Sequence, residues 1–404
     1  MTLLDATRSK SAAPVGENRL LSASGPSRAD HLGRFGPLPP FTPGLFDDLR
    51  SSGLSGRGGA AFPSWRKMQD TRGRGPVVVI ANGAEGEPLS AKDAVLLQRA
   101  PHLVIDGLLI AARLLEASEV RLYAEGGQLA PVARAIGERG DATGIVLTLA
   151  PSGFLSGEAS AIVNAITTGR AVPLDHRLPL SVAEGGRPAT VVQNVETLAN
   201  IALIARFGSA WFRSVGAVDE PGSRLVTLCG DVPQPGVVEV AGGTRLSDAL
   251  GRSGLDTASV RAVLVGGYHG AWLPASDLAT PLTRDALRPF GAAPGAGVLM
   301  VLGAGRCGIR QASIIASYLA AQSARQCGPC LNGLPAMASA LARVAAMDRS
   351  PALIDRLRRL AELVSGRGSC HHPDGTARFV LSTLTVFADD VDAHRHGFCR
   401  EASR

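Results

Sequence analysis

Lysine is the residue that this chain most lacks. Of 41 basic residues only three are lysines, at positions 10, 67 and 92, and the other 38 are arginines. Aromatic residues are scarce too, at 4% of the chain, so its core must be built mainly from Ala, Val and Leu. In a chain that uses arginine almost everywhere, a remaining lysine indicates a site that needs a compact ammonium group. Lys67 and Lys92 both fall inside motifs described below.

Long apolar runs and basic blocks are also absent. No stretch reaches the ~18 uninterrupted apolar residues of a membrane-spanning helix. Residues 1–30 lack the apolar region of a signal peptide. We therefore expect no transmembrane segment and a cytoplasmic protein, which can still associate with a membrane complex. The net charge is +6 without a basic stripe, so we expect no nucleic-acid ligand and favour an acidic electron-transfer partner.

Six cysteines in 404 residues are too few for a secreted disulfide scaffold, and their clustering indicates a metal site. Cys327 and Cys330 are three residues apart, and Cys370 follows later. Two thiolates at this spacing can hold one metal centre that a distant third closes, as in iron–sulfur and zinc sites. The alternative is a redox dithiol or an idle pair. We interpret Cys229 and Cys307 as small buried apolar residues.

A glycine-rich loop is the motif around which the chain is organised. Gly56, Gly58 and Gly59 bracket Arg57, so the backbone can turn its N–H groups toward an anion. This pattern predicts a phosphate-binding loop with a charge at its centre. A flexible surface loop is the alternative.

Two side chains follow the loop. Phe62 offers an aromatic face and Lys67 a fixed positive charge. A flavin nucleotide or a dinucleotide would use both of them together with the loop.

The periodicity of the first half predicts an α/β fold. Residues 1–43 are rich in Ser, Gly and Pro without a period, and we expect an extended N-terminal arm there. Over residues 44–220 strands alternate with helices, which predicts βαβ crossovers and a parallel sheet with ligands at the carboxyl ends of its strands. The predicted strands are 76–81, 120–123 and 145–149, and the predicted helices are a short one from Leu45, 103–115 and 129–136.

Polar side chains follow the predicted strands. Asn82, Glu85 and Glu87 come after the first strand, where the two carboxylates can face a ligand. The alternative is a helix N-terminus carrying acidic residues that favour the helix dipole. Gln193 and Asn194 lie in a later loop and can hydrogen-bond a heteroaromatic ring, with a helix N-cap as the alternative for Asn194.

The second half changes character twice. Residues 221–306 read as β-turn-β-α-β, with strands at 224–229, 237–240 and 263–265 and a helix at 246–250. From Ile309 the chain is helical, which predicts a four-helix bundle over 307–398 with the cysteines between its helices. The predicted helices are 309–325, 329–347, 351–364 and 376–391.

Taken in order, these motifs resemble the flavin- and NADH-binding subunit of respiratory complex I and its relatives in soluble hydrogenases and formate dehydrogenases. The resemblance covers roughly residues 45–390, and residues 82–88 are similar to the Rnf-type relatives. It implies a Rossmann-like flavin domain over 44–220, a β-grasp domain of the soluble-ligand-binding type over 221–306 and an iron–sulfur bundle over 307–398. For the β-grasp domain we expect a packing role.

The resemblance also implies cofactor ligands. FMN would be held by Gly56, Arg57, Gly58, Gly59, Phe62, Lys67, Asn82, Glu85, Gly157, Glu158, Gln193 and Asn194. We assign the reaction to Lys67, Glu85 and Glu87, with Lys67 favouring the anionic reduced flavin. Cys327, Cys330 and Cys370 would bind a 4Fe-4S cluster.

Several positions depart from the family pattern. Ala84 and Ala159 stand where the family has acidic residues, Phe154 replaces a tyrosine, and residues 173–179 reduce the segment that holds the nicotinamide nucleotide. Ala324 stands at the first cluster ligand. The candidates for a fourth ligand are His371, His372 and Cys399; an open iron or a 3Fe-4S form is the alternative.

The expected function is an iron–sulfur flavoprotein that passes electrons between NAD(P)H and a ferredoxin-like or membrane partner. One alternative is a flavin electron-transfer protein that does not bind NAD(P)H. A second alternative is a non-enzymatic adaptor with degenerate redox sites.

Overall fold

The computed structural model describes residue 16 and residues 18–40, 42, 44–175, 179–182 and 187–401. Over these residues the chain is a mixed α/β protein. A parallel sheet comes first, a second and mixed sheet follows, and the C-terminal region is helical. This agrees with the predicted α/β class.

The first sheet has four parallel strands in the order β3-β2-β1-β4. They are β1 (Val77–Asn82), β2 (Glu119–Ala124), β3 (Ile145–Leu149) and β4 (Ala189–Asn194). The β-branched run in β1 is buried on both faces, as a central parallel strand requires. The sequence analysis missed β4. Its register places Asn194 beside Asn82 at the carboxyl edge of the sheet.

Helices surround this sheet. They are α1 (Arg28–Phe35), α2 (Leu45–Ser52), α3 (Ser64–Gln69), α4 (Lys92–Arg99), α5 (Pro101–Leu114), α6 (Gly126–Gly137), α7 (Ala159–Thr168) and α8 (Val195–Phe212). Helices α5 and α8 pack closely, because a Cβ on Gly107 would overlap the carbonyl group of Leu198. Such contact requires glycine and fixes α8, which begins directly after β4.

The expected extended arm is wrong for the described part of residues 1–43. Residues 28–35 form α1, and Leu20 and Phe35 are buried in the first core. The N–H of Leu20 donates to the Glu239 carboxylate at 2.9 Å. Apolar residues in a Ser- and Pro-rich segment thus attach it to both sheets. Most of the remaining arm lies outside the described residues.

The second sheet has five strands in the order β6-β5-β9-β7-β8, of which only the β5–β9 pair is parallel. They are β5 (Ser223–Gly230), β6 (Gly236–Ala241), β7 (Val260–Val265), β8 (Ala271–Pro274) and β9 (Val298–Gly303). The helices here are α9 (Leu246–Gly251) and α10 (Arg284–Leu287). Strands β5, β6 and β7 match predicted strands, whereas β8 and β9 were not predicted.

The C-terminal region contains α11 (Gly308–Ala321), α12 (Leu334–Ala345), α13 (Leu353–Val364), α14 (His372–Val386) and α15 (Ala388–Arg395). The predicted helix 376–391 is therefore two helices, broken at Phe387, whose ring is buried. A π-helical turn, Pro329–Gly333, leads into α12 and carries Cys330.

Among the described residues, no single helix has the length and apolar character to cross a membrane. Helices α4 and α5, bent by 96°, pass that test only as a pair.

Candidate functional site

A cavity of about 420 Å³ opens where the carboxyl ends of β1 and β4 meet the rest of the chain. Small-molecule sites typically measure about 300–1,000 Å³. All three parts of the fold form its walls: residues within 58–60, 82–93 and 154–158 with Asn194 from the first, residues within 266–270 and 293–296 from the second, and residues within 370–378 from the helical region. The second sheet therefore shapes the cavity as well as packing against it.

The glycine-rich loop forms one wall through its backbone. Gly58, Gly59 and Ala60 line the cavity, and within the described part of the chain their N–H groups donate to no protein acceptor. Gly59 has a φ of 108°, a conformation that favours glycine. Three successive unpaired amides form a surface suited to an anion such as a phosphate.

The guanidinium of Arg57 is not part of the cavity wall. Arg57 is 1% exposed, forms an ion pair with Glu220 and donates to the carbonyl of Pro221 at 3.1 Å. The prediction that this side chain contacts a phosphate is corrected, because a buried carboxylate already neutralises it. Its backbone N–H donates to Thr197 Oγ1 at 2.9 Å and so fixes the loop on α8.

Four more predicted cofactor residues lie outside the cavity walls: Gly56, Phe62, Lys67 and Gln193. Lys67 Nζ donates to the Val192 carbonyl at 3.0 Å, and Gln193 donates to a carbonyl of α3 at 3.4 Å. Both side chains brace the end of β4. Burial lowers the pKa of Lys67, against the raising effect of Glu158. Phe62 is 42% exposed.

Two asparagines predicted for the site do meet in the cavity. Asn82 Nδ2 donates to the Gly157 carbonyl at 2.9 Å, and Asn194 Oδ1 accepts from the N–H of Glu196 at 2.9 Å. Asn194 is thus the N-cap of α8, the alternative that the sequence left open. A Cβ on Gly157 would lie 2.8 Å from the Ala84 carbonyl oxygen, so glycine lets two loops close one wall.

Glu85 and Glu158 line the cavity, but a helix N-terminus holds each carboxylate. Glu85 accepts from the N–H groups of Asp93 at 3.1 Å and Ala94 at 3.0 Å, at the start of α4. Glu158 accepts from the N–H of Ser160 at 2.9 Å, at the start of α7. This is the helix-dipole alternative considered above. Both residues shape the wall as helix caps.

Lys92 is the buried cation of the cavity. Its Nζ lies 2.6 Å from Asp93 Oδ1, 3.0 Å from Glu196 Oε2 and 3.4 Å from Asn194 Oδ1. Burial alone would lower the pKa of Lys92, but Asp93, Glu196 and Glu85 outweigh burial and raise it. Burial raises the pKa of Asp93 to about 7 against the opposing effect of Lys92. The sequence prediction did not assign Lys92 to the site, although the rarity of lysine was a usable signal.

Glu87 joins the first part of the fold to the second. Its Oε2 accepts from the N–H of Tyr268 at 2.7 Å. Burial raises the pKa of Glu87 to about 7, although the N–H groups of Tyr268 and Leu89 act in the opposite direction. A carboxyl group that titrates near neutrality on a cavity wall is a candidate proton donor or acceptor.

We expect Glu87→Gln to change the pH dependence of stability. The folded-state pKa of about 7 lies above the ordinary 4.5, so the contribution of Glu87 is fully present below pH 4.5 and is lost as the pH rises to about 7. Relative to E87Q, the wild type should lose about 2 kcal/mol of unfolding free energy between about pH 5 and about pH 8.

Urea unfolding of both proteins at the two pH values measures this difference. Glu362→Gln, which changes an exposed carboxylate of α13, is the control. A difference between E87Q and the wild type that stays constant with pH would contradict the assignment.

The three predicted metal ligands are neighbours at the edge of the cavity. Cys330 and Cys370 are 2% and 8% exposed, and Cys370 is on the cavity wall. Burial raises the pKa of Cys330 to about 12, and Cys327 and Cys370 add to this effect. Without a metal these thiols hold their protons, so binding of a metal would release them.

Two of the candidates for a fourth ligand are engaged elsewhere. His372 Nε2 donates to a carbonyl of α11 at 2.8 Å, and its Nδ1 accepts from His269 Nε2 at 2.9 Å. Cys399 lies beside Cys307 instead. The expectation that either residue completes the set is corrected, because sequence spacing does not report these tertiary partners. His371 lines the cavity.

An aromatic cluster lies between the cavity and the helical region. The ring centroid of Phe154 is 4.6 Å from that of His269, 5.5 Å from that of His372 and 6.0 Å from that of Tyr318. The substitution of a family tyrosine by Phe154 thus leaves an apolar contact at the junction. None of these partners was predicted.

An anion-binding loop at the carboxyl edge of a parallel sheet, with thiols on the same cavity, defines a nucleotide-binding α/β protein of metal-centre type. Two family models match the chain. The model described as the Nuo51 FMN-binding domain matches residues 49–203, and the NADH-ubiquinone oxidoreductase-F iron-sulfur binding region matches residues 310–394. The chain belongs to the family of F-type subunits of NADH-quinone oxidoreductase.

Similar proteins agree with this assignment. The F-type NADH-quinone oxidoreductase subunit of Streptomyces coelicolor is 30% identical, over 87% of this chain and 84% of its own length. An F-type NADH-quinone oxidoreductase subunit of Rhizobium meliloti is 29% identical, over 88% of this chain and 90% of its own length. The structure of an air-oxidized NAD+-reducing [NiFe]-hydrogenase matches 87% of this chain with a TM-score of 0.79 and 30% identity. This chain spans 62% of that hydrogenase chain. The resemblance drawn from the motifs is confirmed.

Proposed function

We propose that this chain is an electron-transfer subunit that binds FMN in the cavity, holds an iron–sulfur cluster on its cysteines and exchanges electrons with NAD(H). The observation that carries the proposal is the position of Cys370. Its thiol belongs both to the cavity wall and to the cysteine set. A flavin in the cavity and a cluster on Cys327, Cys330 and Cys370 would therefore share one wall.

The residues present fit FMN. The unpaired amides of residues 58–60 suit its phosphate, and Asn82 and Asn194 place polar atoms at the sheet edge. Lys92 holds a permanent positive charge beside them, which favours a cofactor that becomes more negative on reduction. When bound, FMN supplies the conversion between two-electron hydride transfer and one-electron transfer. Arg57 and Lys67 would support this site from outside the wall.

We assign NAD(H) as the exchange partner on the basis of the relatives' names and two exposed side chains. Arg378 lines the cavity, is exposed and donates to the His269 carbonyl at 3.0 Å, so its remaining N–H groups suit nucleotide phosphates. Phe62 presents an exposed ring on the glycine-rich loop. Residues 176–178 of the reduced segment lie outside the described residues.

The domain division remains our proposal. The first sheet lies within 44–220, the second within 221–306 and helices α11–α15 within 307–398. We interpret these parts as a Rossmann-like flavin domain, a β-grasp domain and an iron–sulfur bundle. The named relatives are subunits, and we propose that this chain passes electrons to a ferredoxin-like partner subunit.

Cys370→Ser tests the metal half of this function. Protein purified under argon should carry FMN and iron, and C370S should lose most of its iron while it keeps its FMN, because a serine is a poor ligand for iron. Cys229→Ser is the matched control, since that half-buried thiol donates only to the Leu299 carbonyl at 3.9 Å. Iron and flavin per chain are the measured quantities. Equal iron in C370S and C229S would sink the assignment.

A further inference from the structure

A second group of potential ligands lies away from the cavity. Cys307 precedes α11, His394 lies near the end of α15, and Cys399 follows α15. One ligand atom from each residue lies within 4.8 Å of the other two. Cys307 and His394 are each 1% exposed. We propose that these three side chains bind one zinc ion, at a site distinct from the iron–sulfur centre.

The spacing of the ligand atoms suits a single ion. Zinc binds sulfur at about 2.3 Å and imidazole nitrogen at about 2.0–2.1 Å, and tetrahedral angles then separate the two ligand atoms by roughly 3.6 Å. Cys307 Sγ lies 3.4 Å from His394 Nε2. Side-chain adjustments of a few tenths of an ångström would complete the geometry.

The imidazole is already in the tautomer that a metal requires. His394 Nδ1 lies 2.9 Å from the Val344 carbonyl oxygen. A carbonyl oxygen only accepts, so Nδ1 carries the proton and Nε2 presents its lone pair toward Cys307. Donation of the second ring nitrogen to a carbonyl is the usual outer-shell arrangement of histidines that bind metals.

The surroundings favour a cation. Cys307 Sγ accepts from the N–H of Arg310 at 3.5 Å, at the start of α11, where a thiolate is stabilised. Two carboxylates adjoin the group. Asp390 accepts from the N–H of Gly308 at 2.8 Å, and Glu401 accepts from the N–H of Cys307 at 3.3 Å. Glu401 or a water molecule would supply the fourth bond of a Cys2His site.

A hydrogen bond between a thiol and an imidazole would explain the contact of Cys307 with His394 alone. It gives no role to Cys399, which comes from the end of the chain and brings a second sulfur to the same point. A bound ion explains all three positions. Such an ion would tie the segment after α15 to the start of α11, so the site has a structural role.

The experiment compares zinc binding by the full chain and by matched cysteine variants. After growth with zinc and dialysis against a weak chelator, we expect about one zinc per chain in the wild type and at least a fivefold lower content in Cys399→Ser. Cys370→Ser and Cys229→Ser should keep the zinc. Since Cys399 lies at the end of the chain, C399S should fold, which circular dichroism checks.

Cobalt gives an independent reading of the ligands. Added to metal-free protein, Co²⁺ should produce a thiolate charge-transfer absorption in the wild type and in C370S, and not in C399S or His394→Ala. Three results would each overturn the proposal: a wild type without zinc, zinc lost in C370S but kept in C399S, or a disulfide between Cys307 and Cys399 in metal-free native protein.

Discussion

Replacing Lys92 by methionine should lower the free energy of unfolding by about 3–5 kcal/mol, the usual cost of leaving a buried charge without its partner. The ammonium of Lys92 lies 2.6 Å from Asp93 and 3.0 Å from Glu196, and all three residues are at most 3% exposed. Without it, two carboxylates would share a buried pocket with no counter-charge. The bound flavin should be lost as well, because this group forms part of the cavity.

Lys67→Met is the matched control, because the ammonium of Lys67 donates to a single carbonyl, that of Val192. We expect it to cost about 1 kcal/mol, the typical net worth of one hydrogen bond. The double variant K92M/D93N should recover part of the loss, since it removes one of the uncompensated charges. Urea unfolding measures all three variants. A loss in K92M no larger than that in K67M would show that Lys92 does not hold this network together.

Gly86→Ala should lower FMN affinity by about ten- to a hundredfold. A Cβ on Gly86 would overlap the carbonyl group of Phe154, which cannot move without displacing the 153–158 loop from the cavity wall. Overpacking of this kind costs about 1–3 kcal/mol, which corresponds to that range of affinity.

Gly127→Ala makes the same change in α6, where a Cβ meets nothing within 4 Å, and should leave FMN affinity unchanged. Titration of flavin-free protein with FMN, followed by flavin fluorescence, gives both dissociation constants. An affinity in G86A equal to that in G127A would mean that the cavity is not the flavin site.

Strong local patterns predicted most of the first sheet. The valine run of β1 is continuous and β-branched, so its burial could be inferred from the sequence. Strand β4 has a short apolar stretch that ends in Gln193 and Asn194, and these polar residues suggested a loop. The second half of the mixed sheet was missed for a related reason. Strand β8 has only four residues, too few to show a period.

The site could be predicted at its backbone and less well at its side chains. The glycine spacing identified a loop that does line the cavity at Gly58 and Gly59. Arg57 was placed wrongly because its partner, Glu220, is distant in sequence and gives no local signal. The same limit applies to Cys399, whose neighbour Cys307 precedes the first helix of the region. Arg378 was missed because an exposed arginine on a helix carries no pattern.

The central claim is that one cavity wall joins a flavin site to an iron–sulfur site. The most direct measurement is anaerobic addition of NADH to the purified chain, followed by flavin absorbance and by EPR of the cluster. The account predicts that the absorbance of bound flavin falls and that a reduced-cluster signal appears. Protein that carries no flavin and takes up none, or bound flavin that NADH leaves oxidised, would contradict it.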